Sequence, residues 1–143
     1  MALQNYADTH GGAFPAGEAT PEASLSLLFK AGLADADLLR GKTVPYSVVK
    51  EILDRGELLG PDLCGWYYVE GLRTDDDPRI AMFWDKAGLG HNGERLAGGG
   101  HVVWFVNWNH PHIPASEWSK FLAEQERLLE ERAKKTNNEA ANN

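Results

Sequence analysis

The segment between residues 64 and 106 constrains the fold most. Its apolar stretches are rich in aromatic and β-branched residues, which suit the pleated surface of a strand better than a helix. We predict strands over 64–71 and 79–85, joined by an acidic turn, and a third strand over 101–106 after a glycine-rich loop. Ile113 is expected to end a short hairpin arm that follows the third strand. The predicted sheet is antiparallel and has three to four strands.

Helical signals precede this predicted sheet. Thr20 is an N-cap followed by proline, Asp35 caps a further turn, and apolar residues recur at helical spacing. The upstream helical segments are predicted to end at residue 8 and to span 21–31, 36–40 and 44–54.

The clearest helix follows the sheet and begins at Pro114. Its apolar face consists of Trp118, Phe121, Leu122, Gln125, Leu128 and Leu129. This face must pack on the sheet, so the fold class is α+β, a small antiparallel sheet packed against helices. We predict a single globular domain over 1–135. Residues 136–143 contain no apolar side chain larger than alanine and are predicted to form a disordered tail.

Charge and composition argue against two classes of partner. The 143 residues include 14 Lys and Arg against 21 Asp and Glu, and no basic cluster alternates with aromatic residues. A nucleic-acid partner is therefore not expected. No apolar run approaches the roughly 18 residues of a membrane span, so no membrane partner is expected of the chain as given. The single cysteine, Cys64, is expected to be a small buried hydrophobe.

Four of the five histidines lie close together in the sequence, in and after the glycine-rich loop. His110 and His112 project from the same side if the chain there is extended, and His101 begins a strand. Together with His91 they could supply nitrogen ligands to Zn²⁺ or Cu²⁺, and such a site could activate water for hydrolysis. The alternative is that these histidines are surface-turn and strand-end residues.

Catalytic residues stay unassigned from the sequence. Asp85 and Glu94 are the nearest candidates for a base or for a partner of a metal ligand, but nothing in the spacing selects them. The glycine-rich loop over 88–100 leads into a strand and lacks a GK[ST] ending. It is therefore not predicted to cradle phosphate.

Trp108 is the aromatic residue that we expect to be most exposed. It stands in a predicted loop between Asn107 and Asn109, whereas about half of the strand aromatics must face inward. These three residues are the predicted contacts of a ligand-binding module.

Taken in order, three segments resemble type II secretion major pseudopilins and related prepilin-like proteins, in particular a planctomycete-type branch. LQNYADTHGGAFP is similar to the junction that closes their long N-terminal helix, and SLLFKAGLADADLLR to the segment that follows. GWYYVEGLRTDDDPRIAMFWDKAGLGHNG resembles their two-strand region. Where the branch pattern reads Asp-Gly-His-Val-Glu-Phe-Ile, this chain has NWNHPHI. Trp108 thus replaces a turn glycine, so either the hairpin is expected to be opened or the segment has been altered by design.

The resemblance implies a pilin-head-like fold and a structural, non-catalytic role as the head of a subunit of a pseudopilus or pilus-like secretion or surface assembly. The implied partners are neighbouring subunits or further copies of the chain, in the periplasm or at the cell surface. The apolar N-terminal helix through which such subunits assemble is missing from the chain as given.

No cofactor is required by the resemblance, although some major pseudopilins hold a structural calcium ion. Asp75, Asp76 and Asp77 carry oxygen ligands of the kind that calcium prefers. The alternative is a solvated acidic turn, because three consecutive carboxylates point in diverging directions. Two other functions stay open, namely a small metal-dependent hydrolase built on the four histidines and a ligand-binding module centred on Trp108.

Overall fold

A computed structural model describes residues 2–141 of the protein. The helices are α1 (Ala2–Asp8), α2 (Pro21–Leu25), α3 (Leu27–Lys30), α4 (Ala36–Leu39), α5 (Tyr46–Asp54) and α6 (Ala115–Ala141). The strands are β1 (Trp66–Tyr68), β2 (Ala81–Asp85), β3 (His101–Phe105) and β4 (His112–Ile113).

The four strands form one antiparallel sheet in the order β1-β2-β3-β4. Each strand pairs with the next along the chain, with Tyr67 opposite Trp84 and Val102 opposite His112. This sheet and its surrounding helices confirm the predicted α+β class. The strands are shorter than predicted, and β1 covers only three residues because the chain turns directly after it.

Side chains alternate between the two faces of this sheet, as the strand period requires. On one face, called here the α6 face, Ala81, Trp84 and Val103 form a buried cluster. The opposite face, called here the groove face, carries Trp66, Tyr68, Phe83, Asp85, Val102 and Trp104.

Helix α6 covers the α6 face with Trp118 and Phe121, two of the side chains predicted for that role, whereas Leu122 of the predicted face is 42% exposed. Trp118 meets Trp84 edge-on at a ring-centroid distance of 5.4 Å, and Phe121 packs beside both. The helix continues to Ala141, so residues 136–141 are helical where the sequence predicts a disordered tail. Residues 142 and 143 of that tail lie outside the described residues.

The main core lies on the other side of the sheet, between the groove face and helices α1 to α5. Its most buried aliphatic residues include Leu28, Leu39, Val49, Leu59, Leu72, Ile80 and Met82. Burying side chains of this size contributes about 1.5–3 kcal/mol each, before the opposing loss of chain entropy. The short helices are therefore held by this core rather than by their own length.

One predicted helix, over 21–31, is two helices in the structure. Thr20 caps α2 as predicted, because its Oγ1 accepts a hydrogen bond from Ala23 N at 3.1 Å. The break falls at Ser26, whose Oγ donates to Glu22 O at 2.9 Å and accepts from Leu59 N at 3.1 Å. Buried Ser26 thus ties the helix junction to the loop before β1, a tertiary contact that helical periodicity does not report.

Within residues 2–141, no helix combines the length and the apolar character needed to cross a membrane.

Candidate functional site

A groove of about 750 Å³ lies between the groove face of the sheet and the first helices. Its floor is formed by Trp66, Phe83 and Trp104 from three neighbouring strands. One wall is made of leucines from α1 to α4, namely Leu3, Leu25, Leu28, Leu38 and Leu39. The glycine-rich loop forms the other wall. This volume falls in the range of roughly 300–1,000 Å³ that is typical of small-molecule sites.

An aromatic row, Trp66, Phe83, Trp104 and His110, runs across the floor. Trp66 meets Phe83 edge-on at 5.5 Å between ring centroids, and Phe83 lies nearly parallel to Trp104 at 5.7 Å. Trp104 in turn stacks on His110 at 4.2 Å. The Trp66 indole is fixed because its Nε1 donates to Leu38 O at 2.6 Å. These rings are half-buried or exposed, so they present a positioned aromatic surface to the groove.

Asp85 ends β2 and lines the same groove, although only 5% of the residue is exposed. Its Oδ1 accepts a hydrogen bond from Ala87 N at 2.9 Å. Its Oδ2 is shielded from solvent and has no hydrogen-bond partner among the residues that the structure describes. A buried acceptor left in this way costs about 1–3 kcal/mol, so its presence calls for a physical reason.

The neighbouring lysine does not neutralise Asp85. Lys86 Nζ instead contacts Glu22 Oε2 at 2.8 Å and Pro61 O at 2.6 Å. At the rim of the groove, Lys42 Nζ donates to His91 O at 2.8 Å and so joins the segment after α4 to the glycine-rich loop.

Glu94, a predicted candidate base, is occupied within that loop. Its Oε2 accepts from Asn92 N at 2.9 Å, and its carboxylate lies against Gly90 so closely that a side chain at Gly90 would collide with it. The carboxylate therefore organises the loop backbone.

The structure brings His91, His110 and His112 of the predicted metal site to the lining of the groove and places His101 on the opposite face of the sheet. His101 lies on the α6 face, where its ring contacts Trp118 at a centroid distance of 4.3 Å and its Nδ1 is 2.7 Å from Asp85 O. His112 lies on the groove side, with Nε2 at 2.5 Å from Gly99 O. Adjacent strand positions point to opposite faces, so the β3–β4 register itself keeps these two rings apart.

The other two histidines do not complete a ligand set. The His110 ring stacks on Trp104 and its Nδ1 is 3.2 Å from Trp108 O, while His91 is exposed in the loop. Over residues 2–141, no group of three or more His, Cys, Asp or Glu side chains is placed to hold a metal ion. The zinc or copper site therefore stays a prediction without support from the geometry.

The acidic turn pairs its carboxylates with arginines. Asp76 Oδ1 accepts from Arg132 Nε of α6 at 2.7 Å, and Asp77 Oδ2 accepts from Arg79 Nη2 at 2.7 Å. Hydrogen bonding to Arg79 lowers the pKa of Asp77 from 3.8 to about 2. Asp75 points outward, with 81% of its side chain exposed. The three carboxylates diverge, so calcium binding there also stays a prediction.

The turn between β3 and β4 is closed, which makes the expectation of an opened hairpin wrong. Phe105 N donates to Asn109 O and Trp108 N donates to Phe105 O, both at 2.8 Å. Trp108 adopts φ +69°, the left-handed conformation for which a glycine is normally used. Trp108 therefore occupies a turn position at which a glycine would be less strained.

Trp108 is also half-buried, so the expectation that it is the most exposed aromatic residue is wrong. Its Nε1 donates to Gln4 Oε1 of α1 at 3.2 Å, and its ring meets Phe14 edge-on at 6.4 Å. Asn107 Oδ1 accepts from Asn109 N at 3.0 Å, which stabilises the turn. A ligand role for residues 107–109 stays a prediction.

The buried role predicted for Cys64 is confirmed. Only 1% of the residue is exposed, and burial raises the pKa of its thiol to about 11. A thiol in this state is a poor nucleophile at neutral pH.

The sequence interpretation missed the groove itself. Strand alternation places Trp66 and Tyr68 on one side of β1, and Val102 and Trp104 on one side of β3, so part of the floor could have been found. The register shift between Ala81 and Phe83 interrupts that alternation in β2 and leaves no mark in the sequence.

Comparisons with models of protein families, with curated proteins and with solved structures find no match to this chain.

Proposed function

We propose that the protein is the head of a structural subunit of a pilus-like secretion or surface assembly, similar to the heads of type II secretion pseudopilins. Its partners are neighbouring subunits or further copies of the same chain, and its role is non-catalytic. The proposal starts from the three resembling segments and their order.

The observation that carries the proposal is the docking of α1. Leu3 and Ala7 are buried in the main core with 5% and 0% of their surface exposed. The end of the helix is fixed because Gly12 N and His10 N both donate to Ala7 O, at 2.9 and 3.0 Å. A helix that enters the head in this way is held rigidly by it.

A second contact joins α1 to the far end of the sheet. Gln4 Oε1 accepts a hydrogen bond from the Trp108 indole N–H, so the β3–β4 turn also holds the helix in place. Force along α1 would therefore pass into both the core and the sheet. A subunit whose neighbours bind through an N-terminal helix needs such a connection, and this is why docking favours the proposal.

The mature N terminus of the protein in its native cells tests this proposal. Mass spectrometry of the N-terminal peptide is expected to find an apolar helix ahead of α1, beginning at a prepilin-type cleavage site. A mature chain that begins at Met1 or Ala2 would contradict the proposal.

The hydrolase alternative rests on the four histidines, and among residues 2–141 no group of three or more possible ligands is placed to hold a metal ion. Metal analysis of protein purified without an affinity tag decides it directly. Stoichiometric zinc or copper, with loss of thermal stability on chelation, would support a metal centre, and its absence would remove the reason for proposing hydrolysis.

A further inference from the structure

We propose that the groove binds a small organic ammonium ion, with its apolar body against the aromatic row and its N–H group bonded to Asp85. This site is separate from the assembly role and does not depend on it.

The deep end of the groove requires a donor. Asp85 Oδ2 is buried without a partner among residues 2–141, whereas Oδ1 is already bonded to Ala87 N. A carboxylate accepts hydrogen bonds, so a ligand that bonds to Oδ2 must present a donor. Lys86 is directed to Glu22 and Pro61, so the protein's adjacent cation does not fill this position.

The carboxylate favours a cation over a neutral donor. A bond between an ammonium group and a carboxylate is roughly twice as strong as a neutral hydrogen bond. Trp104 stacks on both Phe83 and His110, so the aromatic row offers apolar contact to the body of the ligand.

The walls favour an apolar body beside the charge. Leucines from α1 to α4 face the aromatic row, so a purely polar polyamine would leave this surface without a partner. At the rim, the Lys42 ammonium group is bonded to His91 O and disfavours a second cationic end there. The fitting ligand has one ammonium group and an aromatic or branched apolar body.

Binding must displace some of the atoms that cover Asp85. Oδ2 is shielded from solvent in the free protein, so the ammonium group reaches it only after a local shift. Ala87 N donates to Oδ1 of the same carboxylate, and Gly88 N donates to Asp85 O at 3.2 Å. The backbone amides of Ala87 and Gly88 should therefore report binding.

Phenylbutylamine and its neutral counterpart phenylbutanol are matched probes for this site. We expect calorimetry on the 143-residue chain to give a Kd below about 1 mM for the amine and at least about tenfold weaker binding of the alcohol. In two-dimensional NMR spectra, the amine should shift the Ala87 and Gly88 amides. Absence of binding, or equal binding of amine and alcohol, overturns the proposal.

Two substitutions locate the contact. Asp85→Asn keeps an acceptor for Ala87 N, and we expect it to remove the preference for the amine. Trp104→Leu should raise the Kd of the amine at least about fivefold. The matched control is Tyr67→Leu, because Tyr67 is a 49% exposed aromatic residue on the α6 face and its loss should leave the Kd within about twofold.

The remaining outcomes are also decisive. Unchanged binding in folded Asp85→Asn means that water satisfies Oδ2 and overturns the proposal. If Asp85→Asn does not fold, the proposal is tested by the Kd of the amine for Trp104→Leu and by the shifts of the Ala87 and Gly88 amides. If Tyr67→Leu weakens binding of the amine and Trp104→Leu does not, the amine binds on the α6 face and the proposal is overturned.

Discussion

Gln125 of α6 completes the start of β2. Its Oε1 accepts a hydrogen bond from Ala81 N at 2.9 Å, and its Nε2 donates to Arg79 O at 3.0 Å. The residue is 8% exposed, and its bond to Ala81 is buried whereas its bond to Arg79 is partly buried. One side chain therefore supplies the backbone partners that the irregular register of β2 leaves without strand neighbours.

Replacing this amide by a thioether of similar size should be costly. We expect Gln125→Met to lower the free energy of unfolding by about 1–3 kcal/mol, because it leaves the buried Ala81 N–H and the partly buried Arg79 O without this partner. Urea denaturation measures the loss. Lys120→Met, at an exposed position of the same helix, is the control and should change stability by less than about 0.5 kcal/mol. Equal effects would mean that the two bonds contribute nothing.

Gly100 should tolerate no side chain. An added Cβ would lie 1.9 Å from Ile113 O, and the residue has φ +77°. We expect Gly100→Ala to lower the free energy of unfolding by more than about 3 kcal/mol, because backbone of the β4–α6 junction would have to move. Gly93→Ala is the matched control, since Gly93 has φ +80° but nothing within 4 Å of an added Cβ. It should cost only about 1 kcal/mol, and a similar loss in both variants would contradict the close approach.

At position 108, glycine should stabilise the protein more than alanine, which is the reverse of their usual order. Both Trp108→Ala and Trp108→Gly lose the contacts with Gln4 and Phe14. We expect the glycine variant to be the more stable by about 1 kcal/mol, because φ +69° is strained for alanine and not for glycine. Thermal unfolding of the pair decides it, and an alanine variant at least as stable as the glycine variant would refute the left-handed turn.

Asp77 should titrate at unusually low pH. Hydrogen bonds from Arg79 lower the pKa of its carboxyl from 3.8 to about 2. The bond therefore stabilises the fold above about pH 4, and this contribution is lost as the pH falls through 2. NMR titration of the carboxyl carbon should give a midpoint near 2 that returns towards its ordinary value in Arg79→Met. Arg55→Met, whose guanidinium pairs with Glu51 and Glu57, should leave the midpoint unchanged. An unaltered midpoint in Arg79→Met would rule out this cause.

Local signals in the sequence predict much of the fold. The caps at Thr20 and Asp35 are confirmed because a side-chain cap depends only on residues three positions away, as the bond from Leu38 N to Asp35 Oδ1 at 2.9 Å shows. The apolar face of α6 and the antiparallel strand order also follow from short-range periodicity.

The differences arise where distant residues meet. Ser26 divides a predicted helix because it bonds to Leu59, 33 residues away in the chain. Trp108 is half-buried because α1 supplies Gln4, although its local sequence resembles a loop. Strand alternation places His101 on the opposite face of the sheet from His112, although the two residues are close in sequence. The groove is formed by residues from the helices, the strands and the glycine-rich loop together, so no single segment of the sequence predicts it.

Assembly of the native protein is the most direct test of the structural role. Chemical cross-linking in native cells, read with an antibody to the head, is expected to give a ladder of multimers. The 143-residue chain, expressed in the same cells without any preceding segment, is expected to stay monomeric under the same treatment. A native protein that gives only monomers would contradict the proposal that this head belongs to a pilus-like assembly.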